Sequence, residues 1–134
     1  MKYVKYMTLL LTITTVLAAS GVFANSVAIV NLTIPNFSNP VTTGNHNKDN
    51  FGVQSAIKTG CTDNLSGNEM AIQTRVYSVN YGYYGSWYNL PKGTDVTITS
   101  SDGALASPGT FRLNLRAKNS FITTGNFNGA WNLN

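Results

Sequence analysis

The stretch Thr110–Lys118, TFRLNLRAK, decides the fold class because apolar and polar side chains alternate through it. Successive side chains of a β-strand point to opposite faces of the sheet. No stretch beyond residue 25 shows sustained helical periodicity, so we predict an all-β fold. The predicted inward side chains of this strand are Phe111, Leu113, Leu115 and Ala117, and the outward ones are Arg112, Asn114, Arg116 and Lys118.

Further alternating runs lie on both sides of this stretch, and turn residues separate them. The polar stretch Val41–Asn50 is predicted to be a loop, and the run after it is predicted to end at Thr59-Gly60. About six to eight short strands indicate an antiparallel β-sandwich, immunoglobulin-like or jelly-roll-like. The predicted apolar faces carry Ala28, Val30, Leu32 and Ile34 in the first strand, Phe51, Val53 and Ile57 in the second, Met70, Ile72 and Val76 in the third (opposite Gln73, Arg75 and Tyr77), and Phe127, Gly129, Trp131 and Leu133 in the last.

The N-terminal segment has the pattern of a secretory signal. Lys2 and Lys5 precede the apolar run Met7–Ala19, and Val22-Phe23-Ala24 places small residues at the −3 and −1 positions of a cleavage site. We predict a signal-peptide helix over residues 1–24, cleaved after Ala24, and a single extracellular all-β domain over residues 25–134. An uncleaved anchor is the alternative, but the run is short for a membrane span and threonines interrupt it.

Composition excludes several classes of function. Loss of Lys2 and Lys5 with the signal lowers the formal net charge from +4 to +2, without the clustered basic patch of a nucleic-acid binder. His46 and Cys61 are the only histidine and cysteine, too few for a zinc site or an internal disulfide. A Cys61–His46 dyad would need an orienting acid, for which Asp49 and Asp63 are the candidates, but nothing in the local sequence marks Cys61 as activated. We therefore predict a non-enzymatic protein without cofactor or metal.

Cys61 and His46 each have a simpler interpretation than catalysis. Cys61 is predicted to be a small buried hydrophobic residue, and the alternative is an intermolecular disulfide, since an odd cysteine in an oxidising compartment favours pairing. His46 is predicted to be a solvated loop residue between Asn45 and Asn47.

The segment Tyr77–Tyr88 is the most unusual feature of the chain. Its aromatic residues are interleaved with glycine, serine and asparagine, a mixture typical of binding loops. Planar rings can stack on sugars or lie at a membrane interface. The alternative is a hairpin whose rings cover one face of a sheet. The candidate binding residues are Tyr81, Tyr83, Tyr84, Trp87 and Tyr88.

A second candidate surface is the basic face of the Thr110–Lys118 strand. Arg112, Arg116 and Lys118 are spaced by two and four residues, which places them on one side of a strand. These cations could contact an anionic cell envelope. The alternative is the solvated face of an antiparallel sheet.

The C-terminal third resembles small secreted proteins of Gram-positive bacteria, among them lactococcin-like bacteriocins. The resemblance rests on the run Leu113–Asn119, followed by a closing strand with Trp131 near its end. It covers about a quarter of the chain. The resemblance implies a secreted β-sandwich that is either an antibacterial polypeptide or a protein with a different role. It does not identify any functional residue in this chain.

The sequence thus favours a secreted bacterial protein that binds a cell envelope, a glycan or a protein surface through its aromatic patch, with a bacteriocin-like activity as one form of this function. The alternative is a structural subunit of an extracellular assembly, joined through exposed strand edges or through Cys61. Neither hypothesis involves nucleic acid or a stable transmembrane span.

Overall fold

The computed structural model describes residues 26–100, 103–119 and 122–134. The predicted signal peptide, residues 1–24, and its cleavage site after Ala24 lie outside these ranges. Within them the chain forms ten β-strands and no helix. The strands are β1 (Ser26–Ile34), β2 (Val41–Thr42), β3 (His46–Lys48), β4 (Gln54–Asp63), β5 (Ile72–Ser78), β6 (Tyr83–Tyr84), β7 (Tyr88–Leu90), β8 (Asp95–Ile98), β9 (Gly109–Ala117) and β10 (Gly125–Asn132).

Two sheets contain all ten of these strands. One has four strands in the order β1-β10-β4-β8, and the other has six in the order β2-β9-β5-β6, with β3 also paired to β9 and β7 to β5. Each pair of these strands is antiparallel. The predicted class, an all-β antiparallel sandwich, is confirmed. The strands outnumber the predicted six to eight because four of them have only two or three residues, too short for a periodic signal.

The hydrophobic core lies between the sheets. All four predicted inward side chains of β9 are fully buried, and they belong to one cluster with Ile34, Phe127 and Trp131 of the other sheet. The inward alternation of β9 is therefore confirmed. On the outward face Arg112 and Arg116 are half-buried, while Asn114 is buried because neighbouring side chains cover it.

A β-bulge in β1 makes part of the predicted alternation wrong. Val30, predicted to face inward, is 71% exposed, whereas Ile29 is buried. The register with β10 shifts between Ile29 and Leu32, where Asn31 has a φ of 53° and its N–H donates to Oδ1 of Asn128 at 2.9 Å. An extra residue reverses the facing of every later side chain. Only the predicted second half of the face, from Leu32 onward, therefore points inward.

The predicted loop Val41–Asn50 is also partly wrong, because it contains β2 and β3, which form the edge beside β9. At the end of β3 the buried Lys48 donates to the main-chain oxygen of Asn134 at 2.9 Å. In the following segment Phe51 is 80% exposed and precedes β4, which continues past the predicted end at Thr59-Gly60. The position of β2 and β3 is determined by their pairing with β9 and by the hydrogen bond of the buried Lys48 ammonium group. Apolar alternation in the sequence does not reveal either.

An ion pair between the buried Lys58 and the exposed Glu69 joins β4 to the segment before β5. Lys58 Nζ lies 3.0 Å from Glu69 Oε1 and donates to the carbonyl oxygen of Met70 at 2.7 Å. The same carboxylate oxygen accepts the N–H of Cys61 at 3.0 Å. The Lys58 side chain is only 3% exposed, so its charge depends on these partners.

We expect stability to fall in acid as Glu69 protonates. Desolvation raises the pKa of this carboxyl, but the hydrogen bonds from Lys58 and Cys61 and the charges of Lys58 and Lys92 outweigh it, so the pKa lies below the ordinary value of 4.5. A group with a lowered folded pKa contributes stability that is present above the unfolded pKa and lost as the pH falls through the folded pKa. This contribution should therefore disappear below a pH of 4.5.

Thermal unfolding between about pH 7 and about pH 3 checks this prediction in the wild type and in Glu69→Gln. The variant should be less stable at neutral pH, because it leaves the Lys58 ammonium without a carboxylate, and its midpoint should depend less on pH. An equally steep acid dependence in both proteins would contradict it.

Candidate binding surface

The hairpin that carries the aromatic segment grows from the end of β5. Tyr77 pairs with Tyr84 and Ser78 with Tyr83, and residues 79–82 form the turn. Gly82 has a φ of 60°, a left-handed conformation that glycine adopts at no steric cost because it lacks a Cβ. β6 therefore lies beside β5 at the edge of the six-stranded sheet, with Tyr83 and Tyr84 on opposite faces.

Three rings and two guanidinium groups form a stack on the outward face of this sheet. The ring centroids of Tyr77 and Tyr84 are 4.4 Å apart. Cζ of Arg75 lies 4.0 Å from the Tyr84 ring centroid and 4.4 Å from that of Trp87. Cζ of Arg116 lies 4.0 Å from the Trp87 centroid. We call these five residues the guanidinium–ring stack. Cation–π contacts of this geometry are stabilising.

Strand register brings these side chains together. In the β5–β9 pair Gln73 lies opposite Arg116, Arg75 opposite Asn114, and Tyr77 opposite Arg112. Alternating positions on paired strands share a face, so all six point away from the core. The aromatic segment and the basic face, which the sequence presents as two features, therefore meet on one surface.

Side-chain amides hold the guanidinium groups in place. Arg116 donates from Nε and Nη2 to Oε1 of Gln73 at 3.1 and 2.9 Å, and Gln73 donates in turn to Oδ1 of Asn89 at 3.2 Å. Nε of Arg75 donates to Oδ1 of Asn114 at 3.2 Å. These bonds and the ring contacts restrict the rotamers of both arginines before any ligand arrives.

Arg112 extends the surface beyond the stack. Its Cζ lies 5.9 Å from the Tyr77 ring centroid, and its Nε donates to Oδ1 of Asn45. Lys118, the third predicted basic residue, follows the end of β9 and is exposed, with its N–H bonded to the carbonyl oxygen of Ala71 at 2.8 Å. Arg112 and Arg116 thus share the outward face of β9, whereas Lys118 lies past the strand.

The five predicted aromatic residues divide among three places. Tyr84 and Trp87 belong to the guanidinium–ring stack. Tyr81 and Tyr83 are exposed and line an open depression of about 450 Å³ together with Ala104 and Ser107. Tyr88 is half-buried against the core, and its hydroxyl donates to the carbonyl oxygen of Thr99 at 3.0 Å.

Sequence reasoning missed the partners that organise the surface. Gln73 and Arg75 were expected on the outward side of the third strand, but not as part of a site, and Asn89 was not singled out. One sequence signal did point to them: Gln73, Arg75 and Tyr77 are spaced by two residues, which puts them on the same face of a strand. Which rings they meet depends on strand pairing, which that signal does not contain.

Cys61 and His46 lie in structural positions. Cys61 is fully buried, and desolvation raises the pKa of its thiol to about 11, with Glu69 adding to the rise and Lys58 opposing it. His46 is half-buried in β3, not a solvated loop residue, and its ring meets the Trp131 ring edge-on with centroids 5.6 Å apart. Burial of Cys61 gives no support to an intermolecular disulfide in the folded protein.

The described ranges contain neither a cluster of metal ligands nor a membrane-spanning helix. No three residues among histidine, cysteine, aspartate and glutamate come together there as a metal-binding group. In the same ranges no helix has the length and apolar character needed to cross a bilayer.

Comparison with known proteins adds a distant structural similarity. No protein family model and no curated protein sequence matches the chain. Structures of infectious bursal disease virus, from the Gt and Gx strains, contain similar chains with TM-scores of 0.44 and 0.45 and identities of 11% and 12%. Each similarity covers 79% of this chain but 30% of the viral chain. A similarity at this level carries no information about a ligand.

Proposed function

We propose that the protein is a secreted, non-enzymatic binding protein of bacterial origin that contacts a cell-envelope glycan through the guanidinium–ring stack. The observation that supports this most is the restraint of two accessible rings. Tyr84 is 51% exposed and Trp87 is half-buried, yet both lie against the guanidinium of Arg75. Rings held in place lose little entropy when a sugar stacks on them.

Polar groups beside the rings suit the same ligand class. Asn89 is exposed, and its amide nitrogen has no hydrogen-bond partner among the described residues, while its oxygen accepts from Gln73. Side-chain amides donate to and accept from hydroxyl groups with equal ease. A sugar would contact the exposed surface of Tyr84 and bond to Asn89 at its edge.

The antibacterial activity implied by the bacteriocin resemblance would follow from such binding, since contact with the envelope is its first step.

The alternative, a structural subunit, has one observation in its favour. Among the described strands β1 is a nine-residue edge that pairs only with β10. The bulge at Asn31 interrupts that edge, and bulges are a common protection against strand addition. We therefore favour the binding function.

The test replaces Tyr84 and Trp87 with alanine together and measures retention on purified bacterial cell walls, chitin and cellulose. Each aromatic contact contributes about 0.5–1.5 kcal/mol beyond burial, so losing two should weaken binding about fivefold or more. Both side chains lie on the surface, and circular dichroism should show an unchanged fold.

Phe51→Ala is the matched control, because this ring is 80% exposed and lies outside the aromatic segment. It should bind like the wild type. If Tyr83→Ala abolishes binding while the double variant retains it, the site is the depression beside Ser107 and the stack has no role. A wild-type protein that is retained on none of the three polysaccharides would refute the proposal.

A further inference from the structure

We infer that the glycan bound by this surface is anionic, a polysaccharide that carries carboxylate or phosphate groups along its chain. The inference rests on the proposed function, since it names the chemical class of the ligand for the same surface. Three observations carry it: unneutralised charge, unused hydrogen-bond donors, and the spacing of the arginines.

The outward face of β5 and β9 carries positive charge with no counter-ion among the described residues. Both ion pairs of the described residues use Glu69, which binds Lys58 and Lys92. Arg75, Arg112 and Arg116 therefore have no carboxylate within ion-pair distance in the described part of the chain. Arg75 and Arg116 both lie over the Trp87 ring, so two like charges share one ring. An anion placed there would relieve their repulsion.

The guanidinium groups also retain donors that have no acceptor within the part of the chain that the structure describes. Arg75 and Arg112 each use only Nε in a hydrogen bond, so both terminal nitrogens of each are free among the described residues. Arg116 uses Nε and Nη2 on Gln73 and keeps Nη1. Pairs of guanidinium N–H groups match the oxygens of carboxylates and phosphates, and such charge-assisted bonds are about twice as strong as neutral ones.

The spacing of the charges suits a polymer better than a small ion. Arg112 and Arg116 are four residues apart on β9, which is about 13 Å along a strand. Arg75 lies opposite Asn114, midway between them. Arg75 is therefore on the neighbouring strand, offset by about 7 Å along the strand axis from each of them, and the three cations can engage successive anionic groups of one chain.

The face offers few of the apolar side chains that a lipid surface would favour, and its rings are held against guanidinium groups. Its six positions on β5 and β9 hold no aliphatic residue, and proteins that lie on membranes insert such side chains between the lipids. The six are Gln73, Arg75, Tyr77, Arg112, Asn114 and Arg116. A hydrated polyanion is therefore the better match.

The experiment compares polygalacturonate with its methyl-esterified form, and phosphomannan with dephosphorylated mannan, by titration against the whole protein. Each pair has the same sugar backbone and differs in whether the substituent is charged. We expect the charged member to bind at least about tenfold more tightly, and raising the ionic strength from about 0.05 to about 0.5 M to weaken that binding.

Variants locate the effect. Arg112→Gln and Arg116→Gln should each weaken binding of the charged polymers about fivefold or more. Lys92→Gln is the matched control, because it removes the same charge from a side chain that is 60% exposed and bound to Glu69 instead. It should weaken binding less than about twofold.

Three outcomes would overturn the inference. Equal binding of charged and neutral members refutes it but leaves the proposed glycan function standing. Equal weakening by Lys92→Gln and Arg116→Gln shows that net charge, not this face, is responsible. Preferential binding to vesicles of phosphatidylglycerol over both charged polymers assigns the face to lipid. Binding to no polysaccharide at all instead refutes the proposed function itself.

Discussion

Replacing Trp131 with alanine is expected to lower the free energy of unfolding by about 4 kcal/mol, since large-to-alanine changes in a core remove contacts and leave a cavity. Trp131 is fully buried. Its indole N–H donates to Oε1 of Gln54 at 3.0 Å, and Gln54, also buried, donates to the carbonyl oxygen of Leu105 at 2.9 Å. The substitution therefore removes a large ring and leaves a buried amide oxygen without a donor.

Trp131→Phe separates these two effects. It keeps most of the volume but not the N–H, so we expect a smaller loss of about 2 kcal/mol from the unsatisfied Gln54 oxygen. Urea unfolding followed by circular dichroism measures both variants without relying on tryptophan fluorescence. Phe51→Ala, at an exposed ring, should change stability by less than about 0.5 kcal/mol. A Trp131→Ala loss no larger than that of Phe51→Ala would contradict the assigned core.

Gly129→Ala is expected to cost about 3 kcal/mol or more, an unusually large effect for adding one methyl group. A Cβ at Gly129 would collide with the carbonyl oxygen of Ile57 and would lie 2.9 Å from Cζ of Phe127. The backbone atom cannot move away without disturbing the pairing of β4 with β10. The register shifts between Asn128 and Gly129, so the bulge itself creates this close approach.

Gly60→Ala is the control for this prediction. Gly60 lies on the adjacent strand, opposite Asn128, and a Cβ there would meet no heavy atom within 4 Å. Alanine is favoured over glycine in a strand by about 0.5–1 kcal/mol, so this variant should be as stable as the wild type or slightly more stable. Equal destabilisation by both substitutions in thermal unfolding would show that the bulge is placed wrongly.

Much of the sandwich could be predicted because it depends on local alternation. The third strand and β9 follow the pattern closely, with Ile72, Val76 and Leu113 buried. The first strand departs from it at Asn31, since the bulge depends on a backbone conformation and on a hydrogen bond that Asn31 donates to Asn128, 97 positions away. The edge strands β2 and β3 were missed for a related reason, because pairing with β9 defines them.

The candidate surface could be predicted only in part. Tyr84, Trp87, Arg112 and Arg116 all attract notice from sequence, but as members of two separate features. Tyr88 lies in the same aromatic segment, yet it packs against the core. Neighbouring residues of a strand face opposite sides of the sheet, so a shift of one position is enough to turn a side chain inward. Composition identifies the segment and cannot assign its members to a face.

The sequence by itself determined the all-β class and the side of β9 on which each residue lies, because alternation along a strand is a local property of the backbone. The tertiary structure alone decided that Arg116 bonds to Gln73, 43 residues away, and that both Arg75 and Arg116 stack on Trp87. Strand pairing is long-range: burial of the shared core selects which strands become neighbours, and the outward side chains are brought together as a consequence.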